Sequence, residues 1–293
     1  MASSIRAASV LAVYAHPDDE LFHGGGMLAH LADRGARVTL ACATRGEAGK
    51  AHRSVGPVTN LGALRSQELR VSCAALGIDE PIFLGFHDSA RKERQRHDDP
   101  RALANVDMLE VEAAIRRVIV EATPQVIVTF DPHGGYYHPD HIAVHRATTA
   151  AFFSSGVMGT DAPDRLFYSA FSVDVFRAHA KKTKGWGVVD GLDPDVFGAA
   201  RETITVSFDA RPYMHRKLAA FAAHQSAFGV TAEMLSDPPP DAARRLQGFR
   251  PIMEHEDFVL GGCRGPVSAW PLEDLFEGLE VEGLRHSTGH GAF

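Results

Sequence analysis

The stretch SVLAVYAHPDDELFHGGG, residues 9–26, begins as an apolar run and ends in three glycines. Its first seven residues carry no charge, which predicts a buried β-strand over 9–15. A histidine, a proline and three consecutive acids follow directly after this strand. Adjacent carboxylates repel one another, and folding gains nothing obvious from holding them together. Their position therefore indicates that a positively charged group binds at the end of the strand.

Strand-like apolar runs alternate with helical patterns through the first half of the chain. After the first strand we predict strands at 37–44, 81–85 and 125–130, and helices at 25–35, 61–77, 106–122 and from Pro139 to Ala151. Continuous Val and Ile runs separated by helices indicate parallel strands that are covered on both faces. The pattern predicts an α/β fold with a doubly wound, mostly parallel, Rossmann-like sheet and helices on both faces.

The second half of the chain has a weaker pattern. It predicts strands at 202–208 and 257–260 and a helix at 217–225, with flexible loops at 236–245 and in the last eight residues. The charge-dense stretch 88–105 reads as a solvated loop. No repeat or linker is apparent, so we predict a single catalytic domain over 1–293 with its core at about 8–262.

Composition excludes several classes of protein. The 293 residues are 45% hydrophobic and 23% charged, which is ordinary for a globular protein, and the net charge of -7 argues against nucleic-acid binding. No apolar run approaches the length of about 18 residues that a transmembrane helix needs, so we expect no membrane partner. The N-terminus reads as a short tail before the first strand rather than a signal peptide, which predicts a cytoplasmic protein. The sequence specifies no oligomeric state.

The three cysteines, Cys42, Cys73 and Cys263, are far apart and form no C-x-x-C motif. This spacing excludes a cysteine-rich metal site and fits a reducing compartment. Cys42 and Cys73 lie in apolar runs and are expected in the core, whereas Cys263 is expected in a glycine turn.

A second unusual loop, DPHGGYYHPDH at 131–141, follows the fourth predicted strand. Sites in doubly wound folds form at the carboxyl ends of strands, so this loop and the first should share one site. Together they supply imidazoles and carboxylates, the ligands that catalytic zinc uses with one position left open. Each fragment also has a structural explanation: Asp18 or Asp19 as a helix cap, His138 to Asp140 as a helix start, and His145 as a helix-face residue.

The two motifs AHPDDE (15–20) and HPDH (138–141) together resemble the PIG-L/LmbE family of zinc-dependent deacetylases, which typically remove acetyl from N-acetylglucosaminyl groups. The segments TRGEAG, RSQE, LGFHDS and AFAAHQS extend the similarity along most of the chain. The loop 131–141 resembles the actinobacterial enzymes of mycothiol metabolism, a deacetylase and a conjugate amidase. The resemblance implies an LmbE-like fold and deacetylation of a small amino-sugar conjugate, with the conjugate amidase as an alternative.

The resemblance also implies the ligands of the metal. Zinc would be held by His16, Asp19 and His141, and ferrous iron is possible because this ligand set accepts both. Asp18 would be the general base that accepts a proton from the attacking water. A dication at this position accounts for the adjacent acids.

The remaining implied roles concern the substrate. His138 would protonate or polarise the amide, Asp140 would orient His138, and Tyr136 would help to stabilise the oxyanion. The resemblance assigns sugar contacts to Arg65, Asp88 and Glu47.

Three other functions stay open on the residues alone. A non-haem iron oxygenase would use His16, Asp18 and a distant histidine as its facial triad, which leaves Asp19 without a role. A dinucleotide-binding protein would use Gly24 to Gly26, although eight residues separate these glycines from the strand end. The third alternative is a metal- or sugar-binding module without catalysis.

Overall fold

The computed structural model describes residues 6–157, 162–187, 189–267 and 269–285. The strands are β1 Arg6–Ala7, β2 Ser9–Tyr14, β3 Arg37–Cys42, β4 Ile82–Phe83, β5 Val126–Phe130, β6 Arg165–Ala170, β7 Val206–Asp209, β8 His255–Cys263 and β9 Val281–Glu282. The helices are α1 Gly25–Asp33, α2 Leu61–Leu76, α3 Met108–Ala122, α4 Gly134–Tyr137, α5 Pro139–Ser154, α6 Val173–Lys182, α7 Pro194–Phe197, α8 Met214–Ala223, α9 Gln225–Phe228 and α10 Pro240–Glu254. None of the helices in the described ranges is long and apolar enough to cross a membrane.

Seven strands form the main sheet in the order β4-β3-β2-β5-β6-β8-β7. The pairs from β4 through β6 are parallel, and β8 runs antiparallel to both of its neighbours. This architecture confirms the predicted α/β fold with a mostly parallel sheet. The antiparallel pair at one edge explains why the second half of the sequence lacks the regular alternation of the first.

The strand order positions the candidate site. The chain proceeds from β2 to β3 and β4 on one side, then returns to β5 on the other side of β2. Every residue of β2 and β5 is buried, which agrees with their uninterrupted apolar sequences. Because the order reverses between β2 and β5, their following loops border the crevice in which doubly wound folds bind ligands.

The three glycines at the start of α1 pack tightly and do not form a nucleotide site. Glu256 accepts hydrogen bonds from the N–H groups of Gly26 and Met27, both at 2.8 Å, and it contacts the buried ammonium of Lys217. A Cβ on Gly26 would lie 2.7 Å from the Cβ of Ala210, so only glycine fits there. The helix terminus that a pyrophosphate would need is already occupied by a carboxylate.

Several predictions for the second half were wrong. Residues 240–245 belong to helix α10, because Pro240 occupies the first helical turn, where proline is well tolerated. The core also continues beyond residue 262, since Leu272, Leu275 and Phe276 are buried in it. The last eight residues lie outside the described ranges.

Two local expectations also differ from the structure. Cys263 is the exposed last residue of β8 rather than part of a glycine turn, whereas Cys42 and Cys73 are buried as predicted. The segment 88–105 is not a fully solvated loop, because Ser89 is completely buried and its N–H donates to Asp140 at 2.9 Å.

Candidate active site

The turn after β2 directs its two adjacent acids to different neighbours. One oxygen of Asp19, Oδ2, accepts hydrogen bonds from the N–H groups of Ala15 at 3.2 Å and His16 at 2.7 Å. Asp18 has φ 105° and ψ -16°, a conformation that residues other than glycine rarely adopt. Strained residues of this kind occur mainly where surrounding contacts enforce them, often at functional sites.

The loop after β5 brings its histidines to the same place. Gly134 has a positive φ of 59°, and a Cβ on it would lie 2.7 Å from the Cβ of His141. Glycine therefore lets the loop close tightly over the start of α5. This approach allows His141 Nδ1 to donate a hydrogen bond to the Gly134 carbonyl at 3.0 Å.

Three side chains from the two loops converge on one point. His16 Nδ1 lies 3.2 Å from His141 Nε2, which lies 3.2 Å from Asp19 Oδ1. The other oxygen of Asp19, Oδ2, is 3.6 Å from His16 Nδ1. Bonds of about 2.0–2.1 Å to one tetrahedral metal would place its ligand atoms roughly 3.3 Å apart, which matches the two contacts of 3.2 Å that His141 Nε2 makes.

The surrounding hydrogen bonds fix the orientation of both imidazole rings. His141 uses its Nδ1–H on the Gly134 carbonyl, and His16 Nε2 lies 3.1 Å from a carboxylate oxygen of Asp140. In neutral rings, the facing nitrogens of both histidines then carry lone pairs. A cation between these two lone pairs and the carboxylate would satisfy all three groups, and the N, N, O donor set suits zinc or ferrous iron.

Two other groups of buried side chains include His16. One combines it with His138 and His141, and the other with Asp88 and Asp140. The second group faces the opposite ring nitrogen of His16, where the contact with Asp140 serves as an ordinary orienting hydrogen bond.

Asp18 faces the cavity beside this cluster rather than joining it. Its Oδ2 accepts a hydrogen bond of 2.8 Å from Arg65 Nη2, and the same guanidinium binds the carbonyls of Pro17 and Gly46. Burial raises the pKa of the Asp18 carboxyl to about 6, although the positive charge of Arg65 acts in the opposite direction. A carboxylate held in this way is a suitable proton acceptor near neutral pH.

His138 also lines the cavity, and one nitrogen of its ring is held by a backbone hydrogen bond. The Asp140 N–H donates to His138 Nδ1 at 3.2 Å, which leaves Nε2 as the protonated nitrogen of the neutral ring. Burial, followed by the neighbouring charges of His16 and His141, holds the His138 pKa well below its usual value. The ring centroid lies 4.6 Å from that of His16.

These side chains open into a cavity of about 310 Å³. Of the residues predicted from the sequence, seven line it: His16, Asp18, Asp19, Arg65, Asp88, Tyr136 and His138. His141 and Asp140 are completely buried behind the wall.

Two predicted roles disagree with the contacts. The carboxylate of Asp140 binds the ring of His16, and only its backbone N–H contacts His138. Glu47 does not line the cavity, because its two oxygens accept the N–H groups of Asp88 at 3.0 Å and Arg45 at 3.3 Å. Glu47 thus stabilises the loop that carries Asp88. Arg65 is buried against Asp18 and is not a helix-surface residue.

Comparison with known proteins agrees with this geometry. The family model described as "PIG-L: GlcNAc-PI de-N-acetylase" matches residues 11–152, which include both loops. A deacetylase of Acidothermus cellulolyticus, named for 1D-myo-inositol 2-acetamido-2-deoxy-alpha-D-glucopyranoside, is 34% identical, covering 93% of this chain and 96% of its own. The chain belongs to the PIG-L family. The predicted resemblance is confirmed, and this is a family of hydrolases that remove acetyl groups.

Solved structures that resemble this PIG-L chain share its fold at lower identity. The N,N'-diacetylchitobiose deacetylase of Pyrococcus horikoshii has a TM-score of 0.56 at 18% identity, covering 87% of this chain and 84% of its own. GalB of Pseudomonas putida, a 4-carboxy-2-hydroxymuconate hydratase, has a TM-score of 0.55 at 16% identity, covering 89% and 99%. Because a hydratase shares the fold, the fold alone does not determine the reaction.

The sequence analysis missed several residues around the cavity. Ser226 and Phe228 line it from α9, a segment that the sequence analysis touched only through the motif AFAAHQS. Glu20, the third acid of the first motif, received no role, yet it is buried against His224 from the same distant segment. Lys50, Arg91 and Arg94 line the cavity as well.

Proposed function

We propose that this PIG-L family member is a zinc-dependent amidohydrolase that removes acetyl from an N-acetylglucosaminyl-type sugar conjugate, releasing acetate and a free amine. The observation that carries the proposal is the convergence of His16, Asp19 and His141 beside a cavity that also contains Asp18 and His138. We assign the first three as metal ligands. Ferrous iron fits the same donor set and is the alternative metal.

The residues around the cavity can each take a separate role in amide hydrolysis. When bound, zinc would act as a Lewis acid and activate water for attack. Asp18 would accept the proton of the attacking water, and Arg65 would hold the carboxylate in place through its 2.8 Å hydrogen bond. Asp18 would thereby serve as the general base.

Other residues of the cavity would handle the carbonyl oxygen and the leaving nitrogen. His138 can donate its Nε2–H to the developing oxyanion. The proton that Asp18 takes from water would then pass to the departing amine. Tyr136 also lines the cavity and can supply a second donor to the oxyanion through its hydroxyl. Asp88 is placed to accept hydrogen bonds from sugar hydroxyls, although both of its oxygens already accept backbone N–H groups.

The sugar class follows from the relatives rather than from the cavity. The Acidothermus cellulolyticus relative is named for an acetamido-glucopyranoside joined to inositol, so we propose a glucosaminide with a polar aglycone. A conjugate amidase is the second candidate. It is favoured by an adjoining cavity of about 630 Å³ that shares Arg91, Tyr136 and His138 with the first and leaves room for a larger acyl group.

The iron-oxygenase alternative fits the geometry less well. Its triad needs Asp18 as a ligand, but Asp18 is paired with Arg65, and Asp19 is the acid that faces His141. A binding module without catalysis would not need a base and a hydrogen-bond donor to the oxyanion in the lining of one cavity.

A substrate panel tests the proposal. Purified protein loaded with zinc is incubated with N-acetylglucosaminyl conjugates and with thiol-conjugate amides, and released amine and acetate are both measured. Equal amounts of amine and acetate support deacetylation, whereas amine without acetate supports the amidase. Oxygen consumption would favour the oxygenase, and no product from any substrate would favour the binding module.

A further inference from the structure

The third acid of the first motif is the centre of a buried hydrogen-bond cluster next to the proposed base. Glu20 is 1% exposed, and its two carboxylate oxygens have separate partners. Oε2 accepts a hydrogen bond of 3.0 Å from the Asp18 N–H. Oε1 lies 2.6 Å from His224 Nε2 and also accepts from the hydroxyl of Ser72.

The partners of Glu20 come from distant parts of the chain. Ser72 lies on α2, and His224 lies at the joint between α8 and α9. Both are completely buried. A carboxylate fixed from two other elements can hold the backbone of the turn in one conformation, because neither donor moves with the turn.

This fixation matters because Asp18 adopts an unfavourable backbone conformation. Its φ of 105° persists only if surrounding contacts enforce it. Arg65 binds the Asp18 side chain, but Glu20 is bonded to its peptide N–H. The backbone contact therefore determines the direction in which the carboxylate leaves the chain.

We propose that Glu20, Ser72 and His224 form a clamp that positions Asp18 for proton transfer, a role that rests on the proposed function. None of the three touches substrate or metal in this role. His224 also connects the clamp to the cavity wall, since it directly precedes α9, which supplies Ser226 and Phe228 to that wall. Through His224, the part of the cavity wall formed by Ser226 and Phe228 is linked to the orientation of Asp18.

Glu20→Gln tests the clamp with the smallest change in shape. An amide has one acceptor oxygen, so it cannot accept both from Asp18 and from the pair His224 and Ser72. We expect kcat to fall about 10-fold or more, because small displacements of a reacting group are costly. KM should stay within about 3-fold of wild type and metal content near one per chain, since neither substrate nor ligands are touched.

Glu256→Gln is the matched control. Glu256 is 3% exposed and also binds three donors, namely two N–H groups of α1 and Lys217, but it does not line the cavity. We expect this variant to lower the melting temperature and leave the kcat of the folded, zinc-loaded enzyme at the wild-type value. If Glu20→Gln behaves in the same way, Glu20 is only structural and the proposal is wrong.

Variants of His224 keep the test decisive if Glu20→Gln does not fold. Glutamine can place an N–H donor near the position of Nε2, whereas alanine supplies none. His224→Gln should therefore retain most of the kcat that His224→Ala loses. Equal kcat in these two variants would overturn the clamp.

Crystal structures separate this proposal from the proposed function. In the Glu20→Gln structure, or in His224→Ala if the first variant does not fold, we expect Asp18 to leave its positive φ and its carboxylate to lose Arg65. An unchanged Asp18 would contradict the clamp whatever the activity. If wild type releases no amine from any substrate, the proposed function fails, and the crystallographic result still decides whether the clamp exists.

Discussion

Two buried carboxylates, those of Glu256 and Asp19, differ in how their charge is balanced. Glu256 receives two helix N–H groups and the ammonium of Lys217, so the protein itself neutralises it. Asp19 receives two N–H groups on one oxygen, and its other oxygen lies 3.2 Å from Nε2 of His141. Lys217 gives Glu256 a full positive charge as its partner, whereas Asp19 faces only imidazole nitrogens. This contrast supports the proposal that Asp19 is a metal ligand and Glu256 part of a structural ion pair.

The largest expected effect comes from removing one of the proposed metal ligands. Asp19→Asn and His141→Ala should each abolish activity. Each should also weaken metal binding by more than about 10- to 100-fold, which is the usual cost of losing only a hydrogen-bond partner of a ligand. Metal analysis after gel filtration, together with the amine-release assay, measures both. Dialysis of wild type against a chelator should abolish activity in the same way, and added zinc should restore it.

Glu256→Gln supplies the other half of this comparison. Breaking a buried ion pair costs about 3–5 kcal/mol of unfolding free energy, so stability should fall while metal content stays at wild type. Wild-type protein that is active and free of metal would contradict the assignment of the Asp19 cluster.

The next effect separates the two adjacent acids. Asp18→Asn should keep its metal and lose its proton acceptor, which lowers kcat by about 10²- to 10⁴-fold. His138→Ala should also keep its metal and lose kcat, because it removes the hydrogen-bond donor to the oxyanion. Metal content and kcat measured on both variants check the assignment. An Asp18→Asn protein without metal, beside a loaded and active Asp19→Asn protein, would favour the iron triad.

Replacing Asp140 should have a smaller effect, on metal affinity rather than on kcat. Its carboxylate orients His16, so Asp140→Asn should lower metal affinity by about 10- to 100-fold and recover activity at high zinc concentration. A competition titration with a coloured chelator measures the affinity. A loss of kcat that excess zinc does not restore would instead support the original expectation that Asp140 acts through His138.

The predictions from sequence succeeded where the residues of a single segment determine its structure. The uninterrupted apolar residues of β2 and β5 predicted buried parallel strands, and the polar residues after them marked the crevice. They failed where a role depended on a distant partner. Glu20 is explained by His224, which lies 204 positions away, and no local pattern connects them.

The role that the resemblance implied for Asp140 does not match its contacts. Asp140 is two residues from His138, and the implied role was to orient that ring. The two residues straddle the start of α5, with His138 as the N-cap, so the Asp140 side chain reaches His16 while its N–H bonds back to His138. Sequence distance cannot reveal this separation of side-chain and backbone contacts.

Arg65 provides a comparison within one helix. It is buried against Asp18, whereas Arg70 on the same helix pairs loosely with Glu80 at 3.8 Å near the surface. Arg65→Ala should lower kcat/KM by about 10-fold or more with metal content near wild type, because Asp18 loses its partner. Arg70→Ala should leave both quantities unchanged. Wild-type kinetics for Arg65→Ala on every substrate would show that the pair serves stability alone.

The smallest effect concerns the cations at the cavity rim. Lys50 and Arg94 line the cavity, and neither forms an ion pair within the described part of the chain, whereas Arg96 is bound to Asp99 at 2.9 Å. An unpaired cation at a rim attracts anionic ligands, and salt screens that attraction. The double variant Lys50→Gln with Arg94→Gln should therefore lower kcat/KM for an N-acetylglucosaminide with a carboxylate aglycone by about 3- to 10-fold at low salt.

The matched neutral glucosaminide makes this last prediction specific. In the double variant, kcat/KM for this neutral substrate should change by less than about 2-fold. The larger loss for the charged substrate should disappear near 0.5 M salt, where charges are screened within a few ångströms. Arg96→Gln should leave both substrates unaffected, since its charge is already balanced by Asp99. An equal loss for neutral and charged substrates, independent of salt, would mean that Lys50 and Arg94 shape the cavity and do not select charge.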